Sequence, residues 1–359
     1  MSATAAPDDI VQTHAQAAAH DREPLLVLAP LREFLAANRL EAPAELSAHP
    51  IGDGHSNVTF ALSTGVVLRR PPRGPLPPSA HDVLREARLL AALEPTAVRT
   101  PRVLAVCDDA SLIGAPFYIM EEVDGAVITD AVPPELANPE QRALIADELI
   151  DSLVALHAVD WTTIGLEGFG KATGYLERQL RRFNGLWEHN RTREVEEFEQ
   201  VARWLADNMP ASPPATIVHG DYRLGNVIMA PRAPARLLAI LDWEMATIGD
   251  PLADLGYMMI HWTQADDPPR GKFNLQTVTS EPGFPTRRQV VERYEQRSGR
   301  SMQALDWYVT LALWKAVAFM EGNYRRAVSG ATDDPYLKSF GEGVVELARR
   351  ALDVTEHGF

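Results

Sequence analysis

The sequence predicts an α+β chain in two lobes, a small antiparallel sheet followed by a larger helical body. Between residues 58 and 122 the apolar residues fall in short runs bounded by turn formers, which is strand patterning. Beyond Pro139 they recur at helical spacing along most of the chain. The length of 359 residues gives room for two domains of ordinary size.

Taken in order, residues 1–24 are rich in Ala, Asp, Gln and His and show no helical stripe, so they read as a mobile arm. The first lobe is then 25–123 and the second 124–359. Leu31, Phe34, Leu35 and Leu40 suit one face of a short helix over 30–40. Val58–Leu62 and Val66–Arg69, joined by Ser63-Thr64-Gly65, form a β-hairpin. The proline-rich stretch 71–78 must be a loop, because proline fixes φ and has no N–H to donate. A helix over about 80–93 turns Val83, Ala87, Leu90 and Ala91 to one side, and Arg102–Cys107 and Phe117–Glu122 are two further strands. Helices follow over 144–157, 175–187, 195–208, 288–297, 304–326 and 336–354.

Charge narrows the function classes. Lys and Arg total 34 against 49 Asp and Glu, a formal net charge of −15, which repels phosphate backbones and anionic membrane surfaces. The single cysteine, Cys107, follows the apolar run Val103–Val106 and reads as a core residue. With no disulfide to form, a reducing cytoplasm is the expected setting. The run Leu25–Leu31 is cut by Arg32 and Glu33, which argues against a signal peptide, and no stretch of about 18 apolar residues predicts a membrane span.

The chemistry concentrates in two segments. Ile217-Val218 leads into His219-Gly220-Asp221, with Asn226 five residues beyond the aspartate, and Leu238–Leu241 ends on Asp242. Two apolar strands that each deliver an aspartate to a turn suit phosphoryl transfer, in which positioning and charge neutralisation do most of the work. Asp221 would take the proton of an acceptor hydroxyl, while Asn226 and Asp242 would hold magnesium against nucleotide phosphates.

Together with Gly249-Asp250-Pro251-x-x-Asp254-Leu255, these motifs resemble the aminoglycoside phosphotransferase and choline kinase family. There His-Gly-Asp takes the place of the His-Arg-Asp of protein kinases, and Leu-Asp-Trp that of Asp-Phe-Gly. The resemblance covers roughly Glu45 to Tyr324. It implies a protein-kinase-like fold, ATP and Mg2+ as cofactors, and a small-molecule hydroxyl as acceptor. It also implies that His219, Asp250 and Asp254 brace the loops. In the first lobe it assigns Gly52, Gly54, Ser56 and Asn57 to a loop closing over phosphates, Val67 to the adenine site and Arg69 to phosphate binding. Glu86 would pair with Arg69, Met120 would back the adenine pocket, and the Glu121 carbonyl and Val123 amide would pair with the base. Arginine stands at 69 where the family has lysine, keeping the charge but bringing a bulkier, forked group.

The run Leu68–Leu76 with Pro78-Ser79-Ala80-His81 is similar to the branch of the family fused to, or encoded near, acyl-CoA dehydrogenases. That branch implies a hydroxyacyl acceptor, free or as a coenzyme A thioester. Candidate acceptor contacts are Tyr222, Arg223, Trp243 and Glu244 beside the aspartates, and Tyr324 and Arg325 farther on. Glu244 with Asp306 or Glu321 would supply the acidic pocket of an aminoglycoside site, and a choline-like alcohol is a further alternative. Trp307, Trp314 and Phe319 read as core packing. Two other classes compete: a catalytically silent kinase fold that binds a nucleotide or acyl ligand, and a metal-dependent phosphatase. The phosphatase would need more histidines, and Asn226 is followed by Val227. A dehydrogenase reading finds no flavin-binding pattern.

Overall fold

Alternating apolar residues in the first third of the chain build a five-stranded antiparallel sheet. The computed structural model describes residues 9–52, 57–74, 81–267, 277–330 and 335–359. Its packing divides the chain into two units, Met1–Asp124 with Ala239–Glu244, and Gly125–Leu238 with Met245–Phe359. The segment ending on Asp242 thus belongs with the first unit, although sequence order places it in the second lobe.

In the first unit come β1 (Ile10–Val11), α1 (His14–Ala17), β2 (Leu26–Val27) and α2 (Leu28–Ala37). They are followed by β3 (Ala48–Ile51), β4 (Val58–Leu62), β5 (Val66–Arg70), α3 (Val83–Leu93), β6 (Val103–Cys107) and β7 (Phe117–Glu121). The sheet order is β3-β4-β5-β7-β6. Strand alternation gives its two faces different work. Phe60, Leu62, Leu68, Phe117 and Ile119 form a buried cluster with Leu31 and Leu35 of α2, and Cys107 lies in the same core. The other face carries Val67 opposite Met120 and Arg69 opposite Tyr118. Asp82 caps α3, its side chain accepting from the Arg85 amide at 2.9 Å.

Two expectations are corrected here. From Asp9 onward the supposed mobile arm is built in: β1 pairs in parallel with β2, and the Asp9 carboxylate takes both Arg22 and Arg73. A two-residue ladder and long-range charge pairs leave no periodicity to read. Strand β3 was also not expected, since His49 and Pro50 spoil the pattern. Proline is tolerated because β3 lies at the sheet edge.

The second unit runs β8 (Ala126–Val127), α4 (Pro139–His157), α5 (Tyr175–Asn190), α6 (Glu196–Asp207), β9 (Thr216–Val218) and β10 (Val227–Met229). Strand β11 (Leu237–Ile240) leads out to the segment grouped with the first unit. Then follow β12 (Thr247–Gly249), α7 (Leu252–His261), α8 (Arg287–Ser298), α9 (Leu305–Val328), α10 (Pro335–Lys338) and α11 (Phe340–His357). Helix α9 is the axis, with α5, α6, α7 and α11 packed on it. Trp314 is fully buried there, 4.9 Å from the Phe198 ring, which stacks at 4.1 Å on Trp187. Phe319 is the exception among the aromatic residues expected in this core, being 62% exposed.

Helix α4 starts earlier than its apolar pattern, because Pro139 suits the first helical turn and Asn138 accepts from the Gln141 amide at 3.0 Å. Helix α7 was not expected at all. It is apolar nearly all round, so no polar face marks the helical period. Among the described residues no helix is long and apolar enough to cross a membrane.

Helices α7 and α9 approach closely at Gly256, where an added Cβ would lie 2.6 Å from the Tyr308 carbonyl oxygen. Gly256→Ala is expected to cost about 1–3 kcal/mol by overpacking, read as a lower urea midpoint with the same slope. An unchanged midpoint would show that this approach is not constrained.

Candidate active site

In the second unit β9 pairs antiparallel with β12 and ends at the turn His219-Gly220-Asp221. Gly220 has φ +86, and a Cβ there would sit 2.9 Å from the Met245 carbonyl oxygen, so glycine is required on two counts. The turn is held from α7. Asp254, with no exposed surface, accepts the His219 N–H on Oδ2 and the Gly220 N–H on Oδ1, both at 2.7 Å. The Asp221 N–H donates to His219 Nδ1 at 3.2 Å. Asn226 closes the loop: its Nδ2 donates to the Asp221 carbonyl at 2.8 Å and to Asp221 Oδ2 at 2.7 Å. Asp221 Oδ1 accepts no hydrogen bond and lies 3.5 Å from Arg223 Nε.

Asp250 follows β12 and braces α7, accepting from the Leu252 amide at 3.0 Å and the Tyr308 hydroxyl at 2.7 Å. Burial pushes its carboxyl upward, against those hydrogen bonds. His157 of α4 bridges Asp254 Oδ2 at 3.2 Å and the Tyr294 hydroxyl at 2.7 Å. Burial lowers its pKa, more than Asp254 raises it. The bridge itself suits a neutral ring, with Nε2–H donating to Asp254 and Nδ1 accepting from Tyr294.

In the first unit Arg69 is the hub. Its Nε donates to Glu86 Oε2 at 3.0 Å, Nη1 to Thr59 Oγ1 at 3.2 Å and Nη2 to Asp242 Oδ1 at 2.7 Å. Burial works against the cation, but Glu86, Tyr118 and Asp242 together hold its pKa above the ordinary value. Burial raises the Glu86 carboxyl, opposed by Arg69, and raises the Tyr118 phenol, which is hydrogen-bonded to Glu86. Asp242 has φ +62, a left-handed conformation that aspartate tolerates better than most side chains. The next amide, Trp243 N–H, donates to Glu86 Oε1 at 3.2 Å and pins that turn.

The remaining expected residues divide. Val67 and Met120 face one another across β5 and β7. Glu121 ends β7 with its side chain accepting from the Arg102 amide at 3.1 Å, and Val123 follows two residues on. Gly52 has φ +78, and Asn57 is buried with neither side-chain polar atom hydrogen-bonded. Gly54 and Ser56 lie outside the described residues.

Two proposed acceptor contacts are corrected. Tyr222 is fully buried, donating to the Leu149 carbonyl at 2.7 Å, and Trp243 is 1% exposed, its indole donating to the Ile240 carbonyl at 2.9 Å. Both complete the core rather than face a ligand. Tyr324 packs under the Arg193 guanidinium at 4.9 Å and Arg325 donates to the His189 carbonyl. Neither lines the crevice beside the His-Gly-Asp turn. Glu244 lies 3.8 Å from His81. Glu321 has no exposed surface and is taken by Thr192 and Arg193, so it cannot serve an acidic acceptor pocket.

Sequence reasoning did not find Thr59, Tyr118, His157 or Tyr308. Alternation in β7 places Tyr118 on the Met120 face and thus signalled it. Nothing local marks the others, whose partners are remote in sequence.

Each unit keeps one side-chain oxygen of the hard kind outside the hydrogen bonds just described. With its nitrogen committed to Asp221, Asn226 keeps its carbonyl Oδ1, and Asp242 keeps Oδ2 beside the Arg69 contact. No cluster of three His, Cys, Asp or Glu forms a metal cage among the described residues.

The model described as "Phosphotransferase enzyme family" matches residues 47–306. Acyl-CoA dehydrogenase family member 11 of Gallus gallus is 33% identical over 321 residues, 87% of this chain and 40% of that protein. This chain therefore spans about two fifths of that relative's length. A candidate aminoglycoside phosphotransferase from Ralstonia eutropha is 30% identical with a TM-score of 0.79, covering 92% of this chain and 98% of that one. A choline/ethanolamine kinase family protein of Mesorhizobium loti shares the fold at 16% identity and TM-score 0.60, covering 91% and 95%.

Two outcomes follow. Arg69→Lys is expected to lose about 1.5–3 kcal/mol, because one ammonium cannot meet Glu86, Thr59 and Asp242 in the guanidinium's geometry. Equal thermal stability would contradict this. His157, with its folded pKa below the unfolded value, opposes protonation, so its contribution is present above the unfolded pKa and is lost as pH falls below about 6.5. Stability measured from about pH 7 to pH 5.5 should fall, and His157→Gln should flatten the fall.

Proposed function

The chain belongs to the phosphotransferase enzyme family, and from that membership we propose that it moves the terminal phosphoryl group of ATP to a hydroxyl of a small hydroxy acid or hydroxyacyl thioester. The observation that carries this reading is Asp221, fixed through Oδ2 by Asn226 while Oδ1 has no hydrogen-bond donor. A carboxylate so placed accepts the acceptor's proton as the hydroxyl oxygen attacks phosphorus and the bond to the nucleoside diphosphate breaks. Asp254 and His219 orient the loop and touch no reacting atom in this account.

Magnesium, when bound, neutralises phosphate charge; Asn226 and Asp242 would hold it. In the first unit Val67 and Met120 would line the adenine, while Asn57 and Arg69 would meet phosphates. The resemblance of the Leu68–Leu76 segment and the Gallus gallus relative favour an acyl acceptor. The commitment of Glu321 to Thr192 and Arg193 weighs against a polycationic one. A second reading, a silent nucleotide binder, draws on the contact between Arg69 and Asp242, which phosphate or magnesium would have to displace.

Magnesium-dependent ADP release is to be measured with hydroxyacyl-CoAs, free hydroxy acids, aminoglycosides and choline. Asp221→Asn is expected to lower the stimulated rate by about 10²–10⁴-fold. Full activity in that variant would remove Asp221 as the base. ATP binding without turnover on any acceptor would favour the silent fold.

A further inference from the structure

Strand β5 ends on two arginines, and alternation sends them to opposite faces of the sheet. Arg69 lies on the side of Glu86 and Asp242, whereas Arg70 falls on the face of Leu68 and is 3% exposed. Among the described residues the hydrogen-bond partners of Arg70 are backbone carbonyls: Nε donates to Pro71 at 3.0 Å, and Nη1 donates to Leu25 and, at 3.1 Å, to Ile113. Burial first and Arg73 second bring its pKa down to about 10, against the pull of Glu23, so the group is still a cation at neutral pH. The three carbonyls come from three pieces of chain. Leu25 opens the buried run Leu25–Leu28, Ile113 sits between β6 and β7, and Pro71 follows β5 itself. Arg73 adds a second grip on the N-terminal segment, donating to the Asp9 carboxylate and the Glu23 carbonyl.

A buried guanidinium is tolerated only while its hydrogen bonds are made, so pulling the end of β5 away from Leu25 and Ile113 would strand a charge in the core. The backbone at 70 is thereby fixed, and with it the point from which the preceding side chain starts. In the proposed reaction Arg69 has to turn from Asp242 to a phosphate, and it can do so by side-chain rotation alone only if its backbone stays in place. We infer that Arg70 is a positioning residue for nucleotide binding: by gripping Leu25 and Ile113 it fixes the backbone from which Arg69 reaches phosphate, so that the N-terminal segment 9–25 sets the affinity for ATP. The inference rests on the reading of Arg69 as a phosphate ligand, but its test does not need turnover or an acceptor.

Calorimetric titrations of the full chain with ATP plus magnesium, and separately with adenosine, would compare the wild type with Arg70→Met, Arg70→Lys, Arg73→Gln, Arg69→Lys and the Arg69→Lys/Arg70→Met double variant, each below its melting temperature. Arg70→Met is expected to weaken ATP about tenfold and to leave adenosine, which offers Arg69 no phosphate, unchanged. Arg70→Lys keeps the charge and should recover part of the loss. Because Arg70 acts through Arg69, its removal in the Arg69→Lys background should cost less than about twofold. Arg73→Gln removes only the outer grip, and it carries the test if Arg70→Met does not fold; about threefold weaker ATP binding with unchanged adenosine is expected. Equal losses for ATP and adenosine would overturn the inference, since they would show a general loosening of the first unit. So would unchanged ATP affinity in the folded variants, or a loss from Arg70→Met that is the same in both backgrounds. A wild type without affinity for ATP would remove the phosphotransferase reading and the inference with it, a result distinct from variants that bind ATP as the wild type does.

Discussion

The Asp254 carboxylate accepts the backbone N–H groups of two consecutive residues, His219 and Gly220, at a position with no exposed surface. Two adjacent amides aimed at one carboxylate fix the peptide planes between them, and so the direction in which the chain leaves towards Asp221. Charge-assisted bonds of this kind contribute about 1.5–3 kcal/mol each, and removing the acceptor would strand two buried donors. The glycine at 220 makes the turn sterically possible, and the β9–β12 ladder holds its near end. Asn226 then restrains the far end by gripping both the backbone and the side chain of Asp221. The loop is therefore held at both ends by the chain's own hydrogen bonds.

Charge is distributed locally in ways the net value of −15 conceals. In the first unit one guanidinium serves two carboxylates and a hydroxyl, which a single ammonium could not reach in the same geometry. The same cluster holds the left-handed turn at Asp242, since Glu86 accepts the following amide. In the second unit, too, charged groups have near neighbours. Glu321 is consumed by Thr192 and Arg193, while Arg223 and Lys315 bring positive charge near Asp221.

The legible parts of the sequence were those written in local period or motif. The hairpin at 58–70, the α3 stripe and the long C-terminal helices follow from alternation and helical spacing. His219, Gly220 and Asp254 were marked by motif, and the structure shows the bonds joining them. What escaped depends on distant partners. His157 and Tyr294 meet across a separation that no local rule encodes, and residues 9–24 are held by Arg22 and Arg73 rather than by an apolar stripe. Tyr222 and Trp243 misled because standing next to an aspartate in sequence says nothing about side-chain direction. In both cases the aromatic ring turns into the core.

A braced His-Gly-Asp loop is proposed to transfer a phosphoryl group to a hydroxyl. Its most direct measurement is the fate of γ-labelled phosphate in a single turnover with magnesium and a hydroxy acid, in the wild type and in Asp254→Asn. A labelled phosphomonoester is expected from the wild type, and much slower labelling from the folded variant. Label released only as inorganic phosphate, or equal rates from both proteins, would contradict it.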